Sequence, residues 1–375
     1  MIPVDLISDI AKGLASFTWG NAVMILVGGI LVALAIIKEY EPVLLLPIGF
    51  GCILANIPMT GMSDGNGLFR VLYQAGISTE LFPLLIFIGV GAMIDFSPLL
   101  AQPNMALMGA AGQFGVYGTL VLATLLGFPL NEAASIGVIG AIDGPTSIFV
   151  ATKLAPNLLA PIAVAAYSYM SLVPIIQPPL MKLLTTRSER RIRMEYTPRP
   201  VSKTARVLFP VLVTLAIGLL VPEATPLISM LMLGNLLRES GVVERLNKAA
   251  QNEIANVATL FLGITIGSTM SANSFLNMQT ITILILGLIA FVLDTVAGLL
   301  FGKLMSFFSH GKINPLIGAA GISAFPMAGR LAAKVAQEED FENYILMHAM
   351  GTNTAGQLGS VIAGGVLLAL VSGMA

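Results

Sequence analysis

The sequence predicts an all-α, polytopic integral membrane protein with two structural repeats, expected to be inverted, whose broken helices meet near the bilayer midplane. Three observations carry this expectation. Apolar residues make up 56% of the 375-residue chain and charged residues only 10%, too little polar surface for a water-soluble globule of this size. A Gly- and Pro-rich breakage pattern occurs twice at one constant offset. A single carboxylate, Asp143, sits in an apolar run where no helix can continue smoothly.

Residues 1–19 read as a short interfacial helix. Asp5 and Asp9 stand where a cleavable leader would be basic, and Ile2, Leu6, Ile10 and Leu14 fall close to one helical face. Hydrophobic stretches follow near 20–37, 43–58, 83–101, 105–127, 133–152 and 158–181, and then near 206–222, 226–238, 255–273, 279–301, 313–334 and 344–372. At ~20 residues per crossing the length leaves room for roughly ten to twelve spans. Segments 43–58 and 226–238 are short for that and read as re-entrant or half-spanning pieces.

Residues 182–206 form the one polar connector. It holds Lys182, Arg187, Arg190, Arg191, Arg193, Arg199, Lys203 and Arg206, eight of the 19 basic residues. The positive-inside rule makes it cytoplasmic. It separates a first membrane repeat, 20–181, from a second, 207–375. Pro47 through Asn56 matches Pro226 through Asn235, and Phe87-Ile88-Gly89 resembles Phe261-Leu262-Gly263. Gly137, Gly140, Pro145, Ala151 and Lys153 match Gly318, Gly321, Pro326, Ala332 and Lys334. What repeats is the position of helix breaks, the best sequence pointer to a transporter-type site.

Composition excludes several classes. The net charge of −1 gives nucleic acid nothing to bind. Cys52 is the lone cysteine, so there is no internal disulfide. Two histidines, His310 and His348, are too few for a His-based metal site. The 19 methionines read as packing filler. No phosphate loop, zinc signature or nucleophile elbow is present.

Three runs carry the chemistry. In Gly140–Ser147, a carboxylate at membrane depth is a functional-site candidate by default. Gly144-Pro145 frees backbone carbonyls, and Thr146 and Ser147 add hydroxyls. That donor set suits a hard cation such as sodium, which prefers oxygen. The bland alternative is a neutral Asp143 tying helices together. In Asn314–Arg330, Asn314 and Ser323 are oxygen donors, Gly318 and Gly321 permit close helix approach, and Arg330 suits a carboxylate unless it only snorkels to headgroups. In Gly351–Ser360, Asn353 and Gln357 can reach a central cavity with Tyr169 of the run Tyr167–Ser171. Asp95 reads as lying at a helix end, and Asp294 has no obvious partner; both are weaker candidates.

These runs resemble the integral membrane β subunit of the biotin-dependent, sodium-pumping decarboxylases, which act on oxaloacetate, methylmalonyl-CoA, glutaconyl-CoA or malonate. The motifs are Asp-Gly-Pro-Thr-Ser at 143–147, Tyr-Ser-Tyr-Met at 167–170 with Gln-Pro-Pro at 177–179, Asn-Pro-Leu-Ile-Gly at 314–318, and Ala-Gly-Gln at 355–357 before Gly359-Ser360. The resemblance implies release of CO₂ from carboxybiotin, consuming a proton and moving Na⁺ outward. The biotin is carried by a partner subunit. It places the family's key positions on Asp143, Tyr169, Asn314, Gly318, Ser323, Arg330 and Asn353. It also implies biotin carrier and carboxyltransferase subunits, a small membrane anchor subunit, a homo-oligomer, and a bacterial or archaeal cytoplasmic membrane.

Both lines together predict sodium on oxygens of Asp143, Asn314 or Ser323, and Asn353. They put the carboxylate of carboxybiotin near Arg330 and Gly318, with Tyr169 and Asp143 delivering the proton. The rival reading is a secondary cation antiporter with no chemistry. A purely structural anchor would need neither Asp143 nor Arg330 in apolar segments.

Overall fold

Where the helices stop, rather than where they run, decides this architecture. A computed structural model describes residues 12–195 and 200–373. Most of the interfacial segment expected at 1–19, and Arg199 of the connector, lie outside the described residues. Among the described residues all regular structure is helical, as the composition predicts.

The first half contains α1 (Trp19–Ile37), α2 (Pro42–Ala55), α3 (Leu81–Met93), α4 (Met105–Ala111), α5 (Phe114–Leu125), α6 (Leu130–Gly137), α7 (Gly144–Leu154) and α8 (Leu159–Leu184). The second contains α9 (Lys203–Leu220), α10 (Thr225–Ser240), α11 (Ala255–Ser268), α12 (Met278–Phe308), α13 (Met327–Glu339) and α14 (Leu346–Ser372). Six helices are long and apolar enough to cross a membrane, or up to seven if the bent pair Leu68–Ile77 and α3, 58° apart, is one span. That is fewer than the length allows, because apolar sequence is spent on short and broken pieces. The segments expected to be half-spanning are the 14-residue α2 and the 16-residue α10.

Those two short helices pack crosswise between the halves. First-half α2 lies on second-half α11, and second-half α10 lies on first-half α3. Apolar tails solvate helices as well as other helices do, so close backbone approach must hold such pairs together. At Gly91 of α3 a Cβ would overlap the Leu231 carbonyl of α10.

Each half also carries one matching break. Residues Val138–Ala141 form a 3₁₀ turn ahead of α7, and Pro315–Gly321 form a longer one ahead of α13. The two breaks touch: the Ser323 N–H donates to the Ala141 carbonyl at 3.1 Å. Long α12 supports both, running beside the two 3₁₀ segments.

The connector is narrower than expected from sequence, since α8 continues to Leu184 and α9 begins at Lys203. It is clamped to the end of α13. Arg190, buried, pairs through Nε with Glu339 at 2.9 Å, and Arg193 pairs with Asp340 at 2.7 Å. The hydrogen bond from Arg190 holds the Glu339 carboxyl below its ordinary range, and that from Arg193 does the same for Asp340.

Two outcomes follow. Gly91→Ala should force α3 from α10 and lower stability by about 1–3 kcal/mol. Gly29→Ala, where a Cβ meets open space, should be neutral or stabilising by up to about 1 kcal/mol. Thermal unfolding in detergent reads both, and equal shifts would contradict the close approach. Second, the clamp carboxyls titrate lower when folded, so their contribution is complete above the ordinary values of 4.5 and 3.8. It is lost as pH falls through the lower folded values. Hydrogen exchange in 186–195 should therefore stay slow at neutral pH and quicken only in strong acid. Glu339→Gln should exchange fast at neutral pH already, and a variant as protected as wild type would show that the pair does not hold the connector.

Candidate cation cavity and substrate vestibule

Local backbone chemistry puts Asp143 at the first break. Ile142 adopts left-handed geometry at φ 54° and Asp143 is extended at φ −125°. Pro145 then falls in the first turn of α7, where its missing N–H costs nothing. Asp143 becomes the helix N-cap. Its Oδ1 accepts from the Thr146 N–H at 3.2 Å, and Oδ2 accepts from Thr146 Oγ1 at 2.8 Å.

Helix α14 completes the shell from the other half. Gln357 Nε2 donates to Asp143 Oδ2 at 2.8 Å, and Ser360 Oγ lies 2.9 Å from the same oxygen. The carboxyl is only 4% exposed, and among the described residues it has no ion-pair partner. Its hydrogen-bond donors are all uncharged dipoles. A membrane-depth carboxylate held this way keeps lone pairs for a cation from outside the protein.

Several expected site residues gather here. Ser323 lines the same cavity, with its hydroxyl on the Gly356 carbonyl at 3.0 Å. Asn353 lies one layer behind. Its Nδ2 holds the carbonyls of Ala320 at 3.1 Å and Ile322 at 2.7 Å, while its Oδ1 is buried without a partner among the described residues. Gln177 and Gln113 grip the same break through Ala319 and Gly321 at 2.6 and 3.3 Å. Ser147 turns back to its own helix, 2.9 Å from the Asp143 carbonyl.

Other residues named from the sequence lie elsewhere. The Tyr169 hydroxyl donates to the Leu284 carbonyl of α12, and its ring packs by Gly287. The tyrosine beside Asp143 is Tyr167: a Cβ at Gly144 would overlap its ring, and its buried hydroxyl has no partner among the described residues. Two residues along a helix turn the side chain by ~200°, so only one of the pair faces the cavity. Asn314 is committed elsewhere. Its Nδ2 holds the connector carbonyls of Arg190 at 3.0 Å and Ile192 at 2.8 Å, and its Oδ1 caps Leu316. Gly318 faces the backbone of α12 at Gly298. Asp294 does have a partner, the Gly115 amide at the α4–α5 break. Lys153 pairs with Glu80 at 3.0 Å, well apart from Asp143's donors.

Arg330 stands in a second cavity, of about 420 Å³, with Asp95 and Arg238. Apolar side chains, Met347 and Met350 among them, form its remaining wall. Arg238 donates to the Met93 carbonyl at 2.6 Å and approaches Asp95 at 3.6 Å. Neighbouring Glu239 pairs with Arg206 at 3.3 Å, so this vestibule lies near the connector end. The Asp143 cavity measures about 300 Å³, and Val90, Met93 and Phe325 line both. Sequence reasoning missed Tyr167, Ser360 and Arg238. For Arg238, a guanidinium in the last turn of a half-spanning helix was the available signal.

Asp143→Ala should cost about 2–4 kcal/mol, combining a lost cap with stranded donors from both halves. Asp143→Asn keeps an oxygen for Thr146 and should cost less. Thermal melts decide it, and an alanine variant as stable as wild type would remove the carboxylate's structural role.

Residues 20–371 match the family model described as Na+-transporting oxaloacetate decarboxylase beta subunit. The chain is 56% identical over 361 residues to the methylmalonyl-CoA decarboxylase subunit beta of Veillonella parvula, covering 96% of each chain. It is 55% identical to the glutaconyl-CoA decarboxylase subunit beta of Acidaminococcus fermentans, with the same coverage. The oxaloacetate decarboxylase beta chain of Klebsiella pneumoniae is 46% identical, with 96% of this chain and 98% of that one covered.

Proposed function

This chain belongs to the family of Na+-transporting decarboxylase beta subunits, and on that premise we propose that it releases CO₂ from carboxybiotin and couples the release to sodium movement. The observation that carries the proposal is the adjacency of two cavities: a vestibule with Arg330 and Arg238, and an inner chamber built on Asp143. One suits an anionic substrate and the other a cation.

The basic connector sets the orientation, with the vestibule facing the cytoplasm of a bacterial or archaeal cell. A partner's biotin carrier domain presents carboxybiotin there. The apolar walls accept the ring system, Arg330 takes the carboxylate and Arg238 stands beside it. The N–CO₂ bond breaks, its electron pair stays on the ureido nitrogen, and one proton replaces the carboxyl group. Tyr167, with its unpartnered hydroxyl by Asp143, is the proposed proton donor in place of Tyr169.

Sodium takes oxygens of Asp143, Thr146, Ser360 and Ser323. Gln357 joins them when its amide turns Oε1 inward. Asn353 positions the break behind this set. Reciprocal packing of α2 on α11 and α3 on α10 supports two inverted repeats. Rocking between them would give sodium alternate access. The potential opposes each outward charge by ~2.3 kcal/mol per 100 mV, and decarboxylation supplies that work. Carboxyltransferase and small anchor subunits, and further copies of this chain, complete the proposed assembly.

CO₂ release from carboxybiotin loaded on its carrier, followed against sodium concentration, tests the reading. Release should saturate with sodium, and Asp143→Asn should lower it at least ~100-fold, the order lost with one essential charged group. Sodium-stimulated release retained in Asp143→Asn would sink the assignment. No release from intact wild type at any sodium concentration would favour a plain antiporter, which has no use for two arginines in the vestibule.

A further inference from the structure

The Asp143 chamber has a second acidic wall. Glu41, in the turn between α1 and α2, lines the same cavity of about 300 Å³. It holds left-handed geometry at φ 37° although it is not glycine, and the following Pro42 starts α2. Among the described residues its carboxylate has neither a hydrogen bond nor an ion pair. An acid turned towards a membrane cavity with no partner is costly to keep and marks an ion path.

A second, independent feature points to a ligand in the same space. Tyr167 lines this chamber and is 4% exposed, and its buried hydroxyl has no hydrogen-bond partner among the described residues. Asn256 and Thr259 of α11 add side-chain oxygens to the wall. The two acids also belong to different packing units. Asp143 is bound to α7 and α14, whereas Glu41 heads α2, which packs on α1 and α11. The chamber lies between them and adjoins the vestibule, with Val90, Met93 and Phe325 in the shared wall.

We propose that Glu41 is a second cation-binding carboxylate, which draws sodium from the vestibule side into the chamber and hands it to Asp143. This rests on the sodium-coupled reading above. Sodium meets Glu41 and the α11 oxygens on one wall, and then exchanges them for Asp143 and the hydroxyls of α7 and α14. No bond is made or broken in this step. Tyr167 offers its oxygen lone pairs between the two walls.

The test is sodium titration of CO₂ release from carrier-bound carboxybiotin by the assembled complex. Glu41→Gln should raise half-saturating sodium by about threefold or more, the order expected for one screened charge across a wet cavity. Its rate should fall more at low sodium than at saturation. Glu41→Asp should recover most of the affinity, which a merely structural turn residue would not require. Glu39→Gln, exposed two residues away, is the control and should titrate as wild type. An unchanged half-saturation in a folded Glu41→Gln protein would overturn the proposal, as would an equal fall at every sodium concentration. Absence of sodium dependence in wild type would instead overturn the parent reading and this one with it.

Discussion

Everything in this protein depends on the contact between two helix breaks, where the Ser323 N–H reaches the Ala141 carbonyl. A bilayer offers no water to unpaired backbone groups, so irregular chain survives there only if protein satisfies it. The second break is held by side-chain amides from α8, α14 and the α4–α5 turn: Gln177, Asn353 and Gln113 each donate to a carbonyl between Ala319 and Ile322. The first is held by Asp143 and the hydroxyls around it. Loss of these partners would leave several buried polar groups orphaned at ~1–3 kcal/mol each.

Function grows from the same constraint. Asp143 is both the cap of α7 and the joint between halves, because Gln357 and Ser360 come from α14. A cation that takes Asp143 must compete with those donors. On the proposed reading, cation binding and the relation of the two halves would be one equilibrium, which a ligand can shift only by its differential affinity for the two arrangements. The vestibule lies against the same broken arm, since Phe325 and Arg330 flank Pro326.

The breaks were legible in the sequence because Gly and Pro punctuate helices by simple sterics. Asp143 was legible because charge in apolar sequence has few innocent explanations. The connector was legible from its arginines. Less visible was the use made of ordinary polar residues. Asn314 grips the connector, and nothing in its sequence context distinguishes that from ligation. Tyr167 and Tyr169 share one motif, and only the rotation of α8 separates them. The partner of Asp294 is a backbone amide, which leaves no trace in a sequence. Arg238 and Glu41 sit at the ends of the short helices α10 and α2, where charges read as interfacial anchors. Only the crosswise packing of α2 and α10 turns those ends inward.

The central claim is that sodium binds the Asp143 chamber of this chain. Thermal unfolding of the purified subunit in detergent, titrated with sodium chloride against choline chloride at equal ionic strength, tests it most directly. A sodium-specific rise in melting temperature that saturates by mass action, and is absent in Asp143→Asn, is the predicted result. Equal rises with both salts, or a sodium-specific rise kept by Asp143→Asn, would contradict it.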